Sequence, residues 1–278
     1  MLNRTCENIP EAVNAMPTEP RPSESWPSIS AVLPAYNEEA GIENAVLDLA
    51  GVLSSLTDRY EVVVTNDGSR DRTGEVLARL QARHPDAHLR VVSHENNRGY
   101  GAALASGFDV ARMDLIFFTD GDQQFDVGEL ARLLPRLANT ADLVIGWREH
   151  RADPPVRLLN AWLWKQLVNL LFGYTARDVD CAFKLFRRTV WQSVSVRSRG
   201  ATFSAEFLIK ARRRGFRVTE LPVSHYPRAT GRATGAKLSV IVRAMSDLIQ
   251  LRRDLAHDLG EERRVQTARS EPVHTGRH

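Results

Sequence analysis

Thr119-Asp120-Gly121-Asp122-Gln123-Gln124 sets two carboxylates one glycine apart, directly after the apolar run Leu115-Ile116-Phe117-Phe118. In extended chain, residues two apart share a side, so Asp120 and Asp122 are expected to face together. Paired carboxylates repel unless a cation sits between them or one holds a proton. Oxygen-only ligands suit Mg2+ or Mn2+, ions that commonly also hold substrate phosphates. Gly121 leaves room for a diphosphate to come close. The plainer alternative is a turn with two solvated carboxylates. The position at the end of a buried run favours the cation.

Other polar groups stand in the same relation to apolar runs. Pro34-Ala35-Tyr36-Asn37-Glu38-Glu39 reads as a helix start, with Asn37 as N-cap and two acids at the positive end. Asn66-Asp67-Gly68-Ser69 reads as a turn and cap. In Asn97-Arg98-Gly99-Tyr100-Gly101 the glycines let backbone approach a ligand or bend tightly into a helix. Gly146-Trp147-Arg148 ends in a guanidinium, either a bidentate phosphate ligand or an ordinary surface arginine.

The elements that must position these groups alternate. Short apolar runs at Ile29–Leu33, Glu61–Thr65, Leu89–Ser93, Leu115–Thr119 and Leu143–Ile145 predict buried parallel strands. Between them Glu39–Leu56, Thr73–Arg83, Gly101–Arg112 and Val127–Ala138 carry apolar residues at helical spacing. The fold class is therefore α/β, a mostly parallel sheet flanked by helices and built from right-handed crossovers. Ligands on such sheets sit outside the carboxyl ends of the strands, where the polar groups fall. Proline-rich, polar residues 1–26 read as a disordered tail, 27–252 as one domain, and 253–278 as a charged tail.

With 37 Lys and Arg against 34 Asp and Glu, the net charge of +3 gives no reason for a nucleic-acid partner. Two cysteines, Cys6 and Cys181, build no disulfide framework, which suits a reducing cytosol. The longest apolar stretch, Leu158–Tyr174, is interrupted by Lys165, Gln166 and Asn169, and the amino terminus lacks a signal-peptide pattern. A cytoplasmic protein without a transmembrane helix is expected. No G-x-G-x-x-G follows the first strand, so a Rossmann dehydrogenase is excluded.

The ordered set Val32–Glu38, Asn66–Ser69, Asn97–Gly101, Asp120–Gln124 and Gly146–Arg148 resembles glycosyltransferase family 2 with the GT-A fold. The branch looks like dolichol-phosphate mannosyltransferase and related polyprenyl-phosphate sugar transferases. Asp178-Val179-Asp180-Cys181-Ala182-Phe183-Lys184-Leu185-Phe186-Arg187-Arg188 is similar to that branch's D-x-x-S-G-F-R-x-[FY]-x-R stretch. Phe203–Glu206 and His225–Gly231 resemble its later F-x-x-E and basic segments. Cys181-Ala182 and Lys184 depart from the usual Ser-Gly and Arg. The resemblance covers roughly residues 27 to 245.

That resemblance implies a nucleotide diphosphate sugar donor, GDP- or UDP-linked, and a hexose of mannose or glucose type. Pro34, Ala35, Tyr36 and Glu38 would line the nucleoside pocket, with Thr65 and Asp67 at the base. Asp120, Gly121 and Asp122 would meet ribose and diphosphate, with Asp122 and Gln124 as ligands to Mg2+ or Mn2+. Arg148 and Arg228 would clamp phosphates and Thr234 would close the site. The acceptor would be a polyprenyl phosphate met at the cytoplasmic face of the membrane, directly or through a separate membrane subunit. An anionic phosphate needs arginines rather than a base, and Arg148, Arg157 and Arg228 are the candidates. A hydroxyl acceptor would need a general base, with Glu206 or Asp180 as suspects. Val156–Tyr174, with Trp162 and Trp164 on different faces, reads as an interfacial amphipathic helix or as a core helix.

Overall fold

The computed structural model describes residues 26–149, 155–200, 202–227 and 245–255. In chain order the elements begin β1 (Ile29–Ala35), α1 (Ile42–Leu56), β2 (Tyr60–Asn66), α2 (Thr73–Arg83) and β3 (Leu89–Ser93). Next come α3 (Tyr100–Val110), β4 (Leu115–Thr119), α4 (Leu130–Asn139), β5 (Leu143–Arg148) and α5 (Pro155–Phe172). Then follow β6 (Phe183–Arg187), α6 (Arg188–Ser193), α7 (Phe203–Arg213) and β7 (Val218–Val223). A last helix, α8, covers 245–255.

The strands form one seven-stranded sheet in the order β3-β2-β1-β4-β6-β5-β7. Strands β1, β2, β3 and β4 pair in parallel, as does β5 with β7. Only β6 runs the other way, antiparallel to both β4 and β5. One edge therefore gathers the carboxyl ends of every strand but β6, together with the loop that leads into β6.

The apolar runs form strands because both faces are covered. Every residue of β4 is buried. Phe108 of α3 packs on Phe118 and, edge-on, on Phe186, Trp191 lying beside it. Leu248, Leu251 and Leu255 of α8 are buried as well, so the packed chain continues past residue 252.

α3 starts under a clamp. The amides of Gly101 and Ala102 donate to the Arg199 carbonyl at 2.9 and 3.3 Å. Glu206 fixes the clamping loop by accepting from the Arg197 and Ser198 amides, and it pairs with Lys210 at 2.6 Å. A Cβ on Gly101 would lie 2.7 Å from Phe203 Cβ and 2.9 Å from Arg199 and Ser198 backbone atoms.

Gly101→Ala should therefore destabilise the fold by about 1–3 kcal/mol, the usual range for overpacking. Urea unfolding would read this as a lower midpoint at constant slope. An unchanged midpoint would mean that the 198–200 loop moves aside freely.

Candidate functional site

After Thr119 the chain does not stay extended. Gly121 and Asp122 lie in a turn, and Gln123 takes a positive φ of 56°. The expected route to a shared side, strand alternation, is thus corrected: the turn brings the two carboxylates together. Burial, and then the charge of Asp122 beside it, pushes the Asp120 carboxyl up to about 7. Tyr100 donates its hydroxyl to Asp120 Oδ1 at 3.0 Å. The Gln124 amide donates to Asp122 Oδ1 at 3.2 Å, and its Nε2 to the Tyr226 carbonyl at 2.9 Å. That leaves the Gln124 carboxamide oxygen as its accepting end.

These groups fit a divalent cation. The donor set is all oxygen, and a carboxyl raised by the charge of a neighbouring carboxylate is what a cation relieves. Among the described residues no cluster of three or more His, Cys, Asp or Glu forms a complete cage. Mg2+ is often held by one or two carboxylates with water and substrate phosphates filling the remaining positions.

Towards β1 and β2 the loops are laced together. Asn37 is not an N-cap: it has φ 56°, its Oδ1 accepts from the Arg70 amide, and α1 begins only at Ile42. Its own amide donates to Ser69 Oγ, and the Glu38 amide donates to Thr73 Oγ1. Pro34 and Glu38 are half-buried, Ala35 is buried and Tyr36 is exposed. Asp67 accepts from the Arg98 and Gly99 amides at 2.8 and 2.9 Å and lies 2.6 Å from His94 Nδ1. A carboxylate has about four acceptor positions, so roughly one is left for a ligand. Thr65 is fully buried beneath Gly107, and its hydroxyl has no hydrogen-bond partner among the described residues. Its side chain is therefore enclosed by protein rather than open to solvent. Gly99 and Gly101 approach the Arg199 backbone, which decides their use as tight packing within the chain.

On the β5 side Arg148 is not a free surface group. Its Nε and Nη2 donate to the two oxygens of Asp178 at 2.6 and 2.8 Å, with both side chains about 10% exposed. Lys184 of β6 is fully buried, lies 5.1 Å from the Phe118 ring, and donates to the carbonyls of Val179 and Cys181. Between those carbonyls Asp180 reaches solvent while protein crowds it on its other sides. Its carboxylate accepts from the Trp164 indole, and burial, then the charge of Asp178, pushes it up to about 6. Tyr100 stands in a motif read from the sequence and Trp164 on the amphipathic helix, but their bonds to Asp120 and Asp180, like the pairing of Asp178 with Arg148, are not legible there. A lysine inside the apolar run Phe183–Phe186 was the available signal, since a charge in a buried strand must be answered. Glu206 is engaged with Lys210 and two amides, so it is not a base facing the cleft. Arg228 and Thr234 lie outside the described residues, as does the Arg157 side chain.

Residues 30–194 match the model of Glycosyl transferase family 2. The chain belongs to that family. Glycosyltransferase AglD of Haloferax volcanii is 35% identical over 224 residues, covering 76% of this chain and 36% of that protein. The dodecaprenyl-phosphate galacturonate synthase of Rhizobium johnstonii is 29% identical, covering 80% of this chain and 66% of its own length. The undecaprenyl-phosphate 4-deoxy-4-formamido-L-arabinose transferase of Pseudomonas paraeruginosa is 31% identical, covering 80% and 64%. The chain thus spans about a third to two thirds of the length of these curated relatives. Glucosyl-3-phosphoglycerate synthase from Mycobacterium tuberculosis, in complex with Mn2+, UDP and glucosyl-3-phosphoglycerate, superposes with a TM-score of 0.62. It is 22% identical and covers 81% of this chain and 80% of its own, a likeness of fold. The architecture of this family 2 chain is the GT-A fold, and the family match takes in β1 through α6.

Removing one member of a buried ion pair strands the other, at a cost of about 3–5 kcal/mol. Asp178→Ala should lower stability by that amount. Adding Arg148→Met to it should recover part of the loss in chemical denaturation, because the pair is coupled. Fully additive losses would show that the two side chains do not depend on each other.

Proposed function

We propose that this family 2 glycosyltransferase moves a sugar from a GDP- or UDP-linked donor to a polyprenyl phosphate at a membrane surface, using Mg2+ or Mn2+. The observation that carries it is the Asp120–Asp122 pair in the turn after β4, at the edge where α/β sheets bind ligands. Two of the relatives are named for dodecaprenyl- and undecaprenyl-phosphate acceptors, which supports the lipid phosphate. Their names carry galacturonate and a formamido-arabinose, so the expected mannose or glucose type has no support from them.

Asp122 and Gln124 would hold the cation, with Asp120 beside them. Held by these residues, a divalent cation would supply positive charge to offset the donor diphosphate and the developing charge of the leaving nucleoside diphosphate. The laced loops after β1 and β2, with Pro34, Ala35, Tyr36 and Glu38, hold the nucleoside end. Arg148 has five N–H donors and commits two to Asp178, leaving about three for the acceptor phosphate. A phosphate acceptor is already anionic, so positioning replaces deprotonation, and attack opposite the leaving group inverts the anomeric centre. A hydroxyl acceptor would instead need a base, and with Glu206 engaged elsewhere Asp180 is the remaining suspect.

α5 supplies the contact with lipid. It turns Trp164, Leu167, Val168, Leu171 and Phe172 inward and leaves Leu159, Trp162, Leu163 and Leu170 in solvent, Leu170 at 82% exposure. No helix among the described residues is long and apolar enough to cross a membrane. An apolar outer face of this kind suits a helix lying in the interface, with Trp162 at headgroup depth. Of the two tryptophans read from the sequence, Trp162 is the one exposed.

Transfer measured with a panel of labelled nucleotide sugars and polyprenyl phosphate should require Mn2+ or Mg2+. Asp122→Ala should lower the rate by about a hundredfold or more while the melting temperature holds. Full turnover in excess chelator would remove the cation from the account.

The protein should sediment with anionic liposomes, and high salt should release part of it. Trp162→Ser should weaken that binding several-fold and leave nucleotide affinity unchanged. Indifference to liposomes at low salt, combined with transfer to a short water-soluble polyprenyl phosphate, would transfer the recruiting role to a separate subunit.

A further inference from the structure

Across the open edge the strands succeed one another as β2, β1, β4, β6 and β5. Neighbouring strands are about 4.8 Å apart. Under the donor reading above, on which this inference rests, the nucleoside lies at β2 and β1 and the diphosphate at β4. The acceptor phosphate lies by Arg148 at the end of β5. A nucleoside diphosphate sugar is a linear molecule of base, ribose, diphosphate and sugar. Laid along this edge, its transferred sugar falls between β4 and β5, which is the place of β6.

Because β6 is antiparallel, it presents to the edge the loop that precedes it. Phe183 pairs with Thr119, so residues 178–182 are carried just beyond the end of β4, alongside Asp120–Asp122. Within 178–182 only Asp180 is exposed; Asp178 is half-buried against Arg148, and Val179, Cys181 and Ala182 are buried. The loop is held stiffly. Lys184 ties down the carbonyls on both sides of Asp180, Asp178 is locked on Arg148, and the Trp164 indole donates to the Asp180 carboxylate. Supporting contacts of this sort preorganise a binding group.

An ionised carboxylate only accepts hydrogen bonds. The donor diphosphate and the acceptor phosphate offer oxygens and negative charge, so neither is a partner for it. The base, which does carry donors, lies strands away, and the ribose is met on the β4 side by Asp120–Asp122. The hydroxyls of the transferred sugar are the donors that reach this place. We infer that Asp180 hydrogen-bonds hydroxyls of the transferred sugar and sets which sugar the enzyme accepts, with Trp164 and Lys184 as its positioning residues. A site built to bond a hydroxyl discriminates strongly against a sugar that lacks it or points it elsewhere.

Calorimetry in Mn2+ tests this with UDP, GDP, UDP-glucose, GDP-mannose and UDP-galacturonate as probes. In the wild type at least one sugar nucleotide should bind more tightly than its bare nucleotide. Asp180→Ala should leave the UDP and GDP constants within about twofold, which also shows an intact fold. It should remove about tenfold of the sugar's contribution and flatten the ranking of donors. Asp180→Asn should lose less, since its carbonyl still accepts. Trp164→Phe, which keeps a ring and removes the N–H, should move the same difference in the same direction. A sugar contribution and ranking unchanged by Asp180→Ala would overturn the inference. So would lost turnover with the sugar contribution intact, the pattern of a base serving a hydroxyl acceptor, or a wild type in which no sugar adds affinity. A wild type that binds none of the five probes would instead remove the donor reading, and this inference with it.

Discussion

A fully buried ammonium in the middle of the sheet organises the second half of this molecule. Lys184 stands on β6 between β4 and β5, and burial lowers its pKa. A charge so placed must be hydrogen-bonded or lose its proton. Its donors go to the Val179 and Cys181 carbonyls, which bends the 178–181 loop over the sheet edge. The bend sends Asp178 to Arg148 and Asp180 to the cleft. The cation therefore shapes, through one loop, the wall that faces the carboxylates of β4.

The other side of the cleft is organised by an anion. Asp67, nearly as deep, gathers the Arg98 and Gly99 amides and His94, and so ties the loop after β3 to the end of β2. That loop leads straight into Tyr100, whose hydroxyl bonds Asp120. Asp67 thus governs the orientation of Asp120 from a distance, through backbone and one tyrosine. Both walls use a buried charge to hold backbone, and both flank the turn of Asp120 and Asp122, where under the proposed function a cation and a diphosphate would meet. The glycines at 99 and 101 serve the same end by letting the 198–200 loop close over the start of α3.

The periodic part of this arrangement was legible in the sequence. β1, β2, β4 and β5 are largely apolar, largely buried runs and β3 is a half-buried edge strand, and the structure reproduces all five with ends shifted by no more than a few residues. β6 was not read as a strand because Lys184 interrupts its run, and because its antiparallel course breaks the strand–helix alternation that organised the first half. Polar positions were harder, since a side chain's partner is set by tertiary placement. Asn37 looks like a cap by composition, yet the neighbouring Asn66–Asp71 loop captures it first. Arg148 looks free until the chain returns with Asp178 thirty residues later. Asp120 and Asp122 stand out in the sequence by type and position, and a turn, not strand geometry, brings them together.

α5 shows how one helix can serve two environments. Trp162 and Trp164 are two positions apart, which on a helix of 3.6 residues per turn places them about 200° from each other. Trp162 stands in solvent beside Leu159, Leu163 and Leu170, whereas Trp164 packs on the core and donates to Asp180. An all-core helix would have no use for the outer set, and a free amphipathic helix would have no use for the inner one. Under the proposed function both are required at once. The acceptor's phosphate must reach the cleft while its polyprenyl chain stays in lipid, so the surface that meets lipid has to be fixed rigidly to the loop that meets the sugar. A helix sharing its inner tryptophan with that loop meets this demand without any moving part.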